Sequence, residues 1–277
     1  MTRFSPPQVQ DDVGYVYDIN PNNIIGTGQY SEVYRTDVRG RQIAIKLVPL
    51  YKMSEKQREV FARGIEFIRT QIRYGSVNQN QHIVTYYSEF VDKLNPDVPV
   101  HCITMELGAG TLFELGRKFY TPQNILTICS QVVDAIAYLH SNNIMHRDIK
   151  LQNFILMSRC PEANIIVKLI DFGFVKEDQG PINQTDLGTG KYKHPKLSRN
   201  EPYGKECDIY SLGRLIVNYL EMVTSSSNPA LASTQFYKEL MKIGEEMSSE
   251  SVGADGLNIW DSRFDRLQSL AKSARNN

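Results

Sequence analysis

Net charge is the first thing missing from this sequence. Lys and Arg total 31, Asp and Glu total 31, and the formal charge is zero. So balanced a chain has no global pull toward nucleic acid or an anionic membrane, although a locally basic groove stays open. A disulfide framework is missing too. Cys102, Cys129, Cys160 and Cys207 lie far apart and form no C-x-x-C pair, so a reducing compartment is expected. Cys102 and Cys129 sit in apolar patterns and read as core. The five histidines show no ligand spacing, which argues against a zinc site. No apolar run reaches the length of a membrane span. The opening "MTRFSPPQVQDD" has no apolar centre, residue 2 is Thr, and the closing "SARNN" holds no Cys. Neither a signal peptide nor a common lipid anchor is therefore expected, and a cytoplasmic location is. No internal repeat is visible.

What is present is ordinary globular material: 277 residues, 41% hydrophobic and 22% charged, enough for one large domain or two modest ones. Residues 1–17 read as a loose leader. From Asp18 to about Leu50, "NNIIGTGQ", "EVYRTDV" and "QIAIKLVPL" read as short strands punctuated by turn residues such as Gly40. Residues 54–73 predict a helix, with Ser54 as N-cap and Phe61, Ile65, Ile68 and Ile72 at helical spacing. "IVTYYSEF" and "HCITMEL" predict two more strands, and "GAG" at 108–110 a hinge. Beyond it the chain turns helical. Residues 122–142 carry a stripe of Ile125, Ile128, Val132, Ile136 and Leu139, capped by Thr121 with Pro122 at the first position. A further helix is expected over 206–223, and two amphipathic stretches occupy roughly 234–248 and 260–274.

Three features carry chemistry. In "IIGTGQYSEVY" a strand runs into Gly26 and Gly28 and resumes at Glu32. Glycines let backbone approach a ligand and offer N–H groups to phosphate oxygens, though the same pattern suits a plain hairpin turn. A strand rather than a helix follows, which excludes a dinucleotide fingerprint, and no Gly-Lys-Ser/Thr closes a Walker A loop. Lys46 stands in the alternating run "IAIKL", facing a cleft or exposed at an edge. "MHRDIKLQN" then puts Asp148 and Asn153 five residues apart, and Asp171 of "LIDFG" follows 18 residues after Asn153. Three oxygen-bearing side chains suit a hard cation such as Mg2+, which commonly holds phosphate as well.

Taken in order, "GTGQYSEV", "AIK", "HRDIKLQN", "DFG" and "GTGKY" resemble the signature set of eukaryotic-type protein kinases over about residues 18–275. The resemblance implies an α+β bilobal fold. A small antiparallel sheet lobe with one long helix (18–107) would sit on a mainly helical lobe (108–277), with ATP between them. It implies transfer of the γ-phosphoryl group of Mg-ATP to protein hydroxyls. Gly26 and Gly28 would shape the loop over ATP, and Lys46 would bind the α- and β-phosphates. Asp148 would orient the substrate hydroxyl and take its proton, while Asn153 and Asp171 would hold Mg2+. His146 would be a packed support. Met105 would back the adenine pocket, with Glu106, Leu107 and Gly108 as hinge and Ile25, Val33, Ala44 and Ile155 against the nucleotide. Lys46 needs a carboxylate partner on the first helix. Glu66, 20 residues on, suits the family's separation, whereas Glu59 is too close. Lys150 and Thr189 imply serine/threonine specificity, Lys150 also reaching the transferred phosphate. Thr185 stands where relatives carry an activating phosphate, which Arg147 could pair. Protein substrates are the expected partners, with an unidentified regulatory partner open and neither nucleic acid nor membrane expected.

The pattern also departs from the family. Ser31 replaces the third glycine, and "HPK" at 194–196 stands where relatives read Ala-Pro-Glu. Lys196 reverses a charge that usually braces this segment, and the usual Arg-Pro near the end is missing, so a trimmed or rearranged distal helical lobe is expected. Asp208 should still hold the catalytic-loop backbone. The basic residues Lys52, Lys56, Arg58, Arg63, Arg69 and Arg73 read as a solvated helix side. Two other function classes stay open: a kinase-like scaffold, for which Lys196 is the best support, and a small-molecule phosphotransferase.

Overall fold

The computed structural model describes residues 8–28, 30–78, 80–92, 97–173, 175–177, 190–199 and 201–273. It divides into two compact units. The first comprises the residues before Asn80 together with Val84–Leu107, and the second Asn80–Ile83 and everything from Gly108 onward.

The first unit opens with a hairpin, β1 (Gln8–Gln10) against β2 (Val16–Asp18). Its main sheet contains β3 (Ile24–Thr27), β4 (Glu32–Val38), β5 (Arg41–Pro49), β6 (Tyr86–Val91) and β7 (Val100–Glu106), all antiparallel, in the order β3-β4-β5-β7-β6. The turn from β4 to β5 uses Arg39 and Gly40, both at positive φ (52° and 80°). Two left-handed residues in succession match the twist of the strands they join. Helix α1 (Glu55–Asn78) starts at a reciprocal cap: Ser54 Oγ accepts from Gln57 N at 3.4 Å, and Gln57 Oε1 accepts from Ser54 N at 2.8 Å.

The N-terminal residues depart from the expected leader. Val9 is fully buried and packs with Tyr17 and Ile19 into the same core as Tyr34, Ile45, Leu47, Phe90 and Cys102. Gln10 N donates to Asp92 Oδ1 at 2.9 Å, tying the hairpin to the end of β6. Hairpin pairing and a single inward side chain per strand leave almost no period in so short a stretch, so the sequence reads as loop.

The second unit is mainly helical. It contains β8 (Gly110–Thr111), α2 (Leu112–Leu115), α3 (Pro122–Ser141), β9 (Ile144–Met145), β10 (Phe154–Leu156), β11 (Val167–Leu169) and β12 (Lys176–Glu177). Then come α4 (Pro195–Arg199), α5 (Glu206–Ser226), α6 (Gln235–Met247), α7 (Leu257–Asp261) and α8 (Phe264–Ser273). Thr121 caps α3 by accepting from Asn124 N at 3.2 Å, and the predicted stripe is buried, as is Cys129, whose thiol burial pushes up to about 12. The amphipathic stretch at 260–274 takes in the end of α7 and all of α8, because the chain turns at Ser262 and Arg263 before restarting. No helix among the described residues is long and apolar enough to cross a membrane.

Helices α5 and α6 cross where glycine meets glycine. A Cβ on Gly213 would lie 2.5 Å from the Gly244 carbonyl oxygen and 2.6 Å from the Ser248 nitrogen. Both are backbone atoms, so the helices themselves would have to part. Gly213→Ala is expected to destabilise the chain by about 2 kcal/mol in urea melts, overpacking of roughly 3 kcal/mol outweighing about 1 kcal/mol of helix propensity. Gly244→Ala meets the Val217 side chain at 2.9 Å and should cost less. Equal or raised stability of Gly213→Ala would show that the crossing has slack.

Candidate active site

In the first unit, the glycine turn and the strand lysine are neighbours across one sheet. Gly26 pairs with Val33 and Val33 with Lys46, which in turn faces Ile103 of β7. Gly28 N donates to Ser31 O at 2.7 Å, and a Cβ on Gly28 would lie 2.7 Å from Ser31 Oγ. A side chain at Gly28 would press on the turn from within. Ala44 and Lys46 are two apart on β5 and so point to one face, Ala44 buried and Lys46 half-buried. Met105, opposite Ala44, is buried, whereas Ile25 is exposed. Glu106 is fixed on both sides: its N–H donates to Thr85 O at 2.9 Å, and its Oε1 accepts from Thr85 N at 2.6 Å.

Glu66 corrects the sequence expectation. Its side chain is 70% exposed and its ion-pair partner is Arg69, at 3.7 Å, rather than Lys46. Arg69 Nε in turn meets Glu89 Oε1 at 2.7 Å, and Glu89 Oε2 meets buried His101 at 2.7 Å. The reason is helical phase: Phe61, Ile65 and Ile68 face the packed side of α1, and Glu66 lies on the opposite side.

The remaining candidate residues lie in the second unit. Asp148 is buried, with Oδ2 accepting from Lys150 Nζ at 2.6 Å and from Asn153 Nδ2 at 2.9 Å. Asn153 Nδ2 also donates to the Asp148 carbonyl at 2.7 Å, which turns its Oδ1 the other way. Ile170 N donates to the Asn153 carbonyl at 2.8 Å, so Asp171 begins one residue from Asn153's backbone. Arg147 and Asp171 both take φ of +66°. Non-glycine residues held there carry strain of about 1–3 kcal/mol each, which the surroundings must hold in place. His146 is fully buried, edge-on to Phe172 at 5.3 Å, with Nδ1 accepting from Asp148 N at 3.3 Å. Gly108 lies against Ile155, where a Cβ would come within 2.9 Å, and Ala109 N donates to Leu156 O at 2.8 Å.

Asp208 of α5 clamps this loop from below. Its Oδ2 accepts from His146 N at 2.7 Å and meets His140 Nε2 at 3.0 Å, and its Oδ1 accepts from Arg147 N at 2.8 Å. Full burial pushes the carboxyl up, but the His140 bond, the charges of His140 and His146 and the Arg147 amide together hold it below its usual range. The sequence predicts the backbone clamp but not the His140 contact. Its signal was present, since His140 continues the buried stripe four residues after Ile136. Tyr203, whose hydroxyl accepts from Arg147 Nη1 at 3.1 Å, had no such signal. Thr185 and Thr189 lie outside the described residues.

The donor set suits a hard cation held jointly with phosphate. Asn153 supplies a carboxamide oxygen and Asp171 a carboxylate, both oxygens as Mg2+ prefers. Among the described residues no group of three His, Cys, Asp or Glu side chains could hold a metal by itself. Such a shortfall of protein ligands is usual where substrate phosphates complete the shell.

A family model described as a protein kinase domain matches residues 19–274. The chain belongs to the protein kinase family. It is 27% identical over 242 residues to serine/threonine-protein kinase TIO of Arabidopsis thaliana, covering 84% of this chain and 17% of that protein. It is 30% identical over 212 residues to calcium-dependent protein kinase 19 of Oryza sativa subsp. japonica, covering 74% of this chain and 37% of that protein. With serine/threonine-protein kinase D2 of Rattus norvegicus the identity is 29% over 225 residues, or 79% of this chain and 24% of that one. This kinase chain thus spans well under half the length of these three relatives.

Proposed function

We propose that the chain is a protein serine/threonine kinase that transfers the γ-phosphoryl group of ATP, with Mg2+, to Ser or Thr hydroxyls of protein substrates. The observation that carries this is the Asp148 carboxylate, held by Lys150 and Asn153 on a loop that Asp208 clamps, in a chain of the protein kinase family. Asp148 accepts a hydrogen bond from the substrate hydroxyl and takes its proton as the oxygen attacks phosphorus. Lys150, already in contact with Asp148, offers a cation to the moving phosphoryl oxygens. Lys46 takes the α- and β-phosphates. Gly26 and Gly28 shape the backbone above them, and Ile25, Val33, Ala44, Met105 and Ile155 supply apolar contact to the base. Glu106 and Gly108 offer the base backbone groups. Asn153 and Asp171 would hold Mg2+, which when bound neutralises phosphate charge. Most of the groups are charged because phosphoryl transfer is catalysed chiefly by position and charge compensation.

The test is label transfer. The full chain is incubated with γ-labelled ATP, Mg2+ and a degenerate Ser/Thr peptide array, beside Asp148→Asn. Label on Ser or Thr in the wild-type lane is expected. Label no higher than the mutant's would favour a scaffold, and label in small molecules alone a different phosphotransferase.

A further inference from the structure

Residues 191–197 are fastened to α5 at several points. Ser211 Oγ donates to Tyr192 O at 2.8 Å, and Lys191 Nζ donates to the Asn218 side chain. His194, fully buried, lies edge-on to Tyr210 at 4.8 Å, and its Nδ1 accepts from Lys196 N at 3.0 Å. Leu197 is buried with Met145, Tyr203 and Cys207. The ionic member of this set is Lys196 Nζ to Glu206 Oε1, 2.9 Å, with side-chain exposures of 32% and 15%. Glu206 is the first residue of α5, two before Asp208. Burial pushes its carboxyl up, but the Lys196 bond and the amides of Glu206 and Gly204 hold it below the usual range. A Cβ on Gly204 would come within 2.9 Å of Glu206 Oε2, so the chain is drawn in tightly around this carboxylate.

One helix end therefore holds two things at once. Through Asp208 it fixes the backbone of His146 and Arg147; through Glu206 it fixes α4. Between them lies a cavity lined by Asp148, Tyr192, Lys193, Leu197 and Cys207 among others. This cavity joins Asp148 to Leu197 of α4, so the placement of α4 bears on what a polypeptide meets as it presents a hydroxyl to Asp148.

We propose that Lys196 and Glu206 form a positioning pair that seats the protein substrate relative to Asp148. The proposal rests on the kinase function proposed above. It also answers the charge reversal noted in the sequence: Lys196 is not a lost contact but one half of a contact made to the start of α5. Arg199 works beside it, meeting Glu201 at 2.6 Å and Glu250 at 2.8 Å, but both its partners are exposed and screened.

The experiment is a charge swap in the full chain. Lys196→Glu, Glu206→Lys and the double variant are compared with wild type, using the best peptide from the array. Each single variant is expected to raise the peptide KM about tenfold through displaced substrate, with the ATP KM within about twofold. The double variant should return the peptide KM to within about threefold of wild type. Should a single variant fail to fold, Lys196→Gln, which keeps a hydrogen bond and adds no like charge, is expected to raise the KM about threefold. An unchanged peptide KM in the folded variants, or a double variant as impaired as the worse single, overturns the pair. Wild type with no transfer above Asp148→Asn overturns the function itself, and the pair with it.

Discussion

Asp148→Asn is expected to lower phosphoryl transfer by about a thousandfold, the middle of the range for loss of a positioned general base. The substitution keeps the shape of the side chain, and a carboxamide oxygen can still accept from Asn153 Nδ2, which now lies 2.9 Å from Asp148 Oδ2. What disappears is the negative charge that faces Lys150 at 2.6 Å and that would draw the proton from a substrate hydroxyl. Lys150 is one-fifth exposed and can turn toward water once its partner is neutral, so the fold should lose little, about 1 kcal/mol. The expected signature is thus a collapse in kcat with a nearly unchanged thermal melt and an unchanged KM for ATP. A variant within about threefold of wild-type kcat would remove Asp148 from the role of base, since general-base loss costs far more.

Asp208→Asn should behave differently, because it damages the fold and the chemistry together. Each oxygen of this fully buried carboxylate accepts a backbone amide, and Oδ2 meets His140 as well. An asparagine has one acceptor oxygen; whichever way it is turned, its NH2 faces a backbone N–H donor. Breaking a buried, hydrogen-bonded charge in this way costs about 3–5 kcal/mol. At 2–4 °C per kcal/mol, Tm should fall by roughly 6–20 °C. Transfer should fall too, because Arg147 at φ +66° loses the bond that holds its amide. The pH dependence has a definite sign. The folded carboxyl sits below its usual range, so its stabilising contribution is complete above the ordinary carboxylate pKa and is lost as pH falls through the depressed folded value. Wild-type stability should therefore drop on acidification below about pH 4, and the variant's melt should lack that component. Equal Tm values for the two proteins at neutral pH would show that the clamp is dispensable.

The chain's organisation was readable from short-range rules wherever those rules are strong. The cap and stripe of α3 and the apolar run of β5 are each written in adjacent residues, where a period of 3.6 or a short buried run meets a clear stop signal. The clamp at Asp208, which the family resemblance implies, is likewise present. Glu66 shows where such carry-over misleads: separation along the sequence suggested it as partner of Lys46, but helical phase turns it toward Arg69 and the solvent. That phase was legible in the Phe61, Ile65 and Ile68 stripe.

Other features depend on contacts between residues far apart in the chain. Val9 reaches a core assembled from β4, β5, β6 and β7, and three residues of strand have too little period to announce it. Lys196 looked like a missing brace until α5 brought Glu206 beside it, ten residues on but across a turn. Gly213 reads as a flaw in a helix until α6 lies against it. Local sequence thus specified the elements and the chemical groups, because backbone propensity and side-chain period act over a few residues. Which carboxylate meets which cation was settled by packing, because an ion pair forms wherever two chains happen to be folded within reach, whatever their separation in sequence.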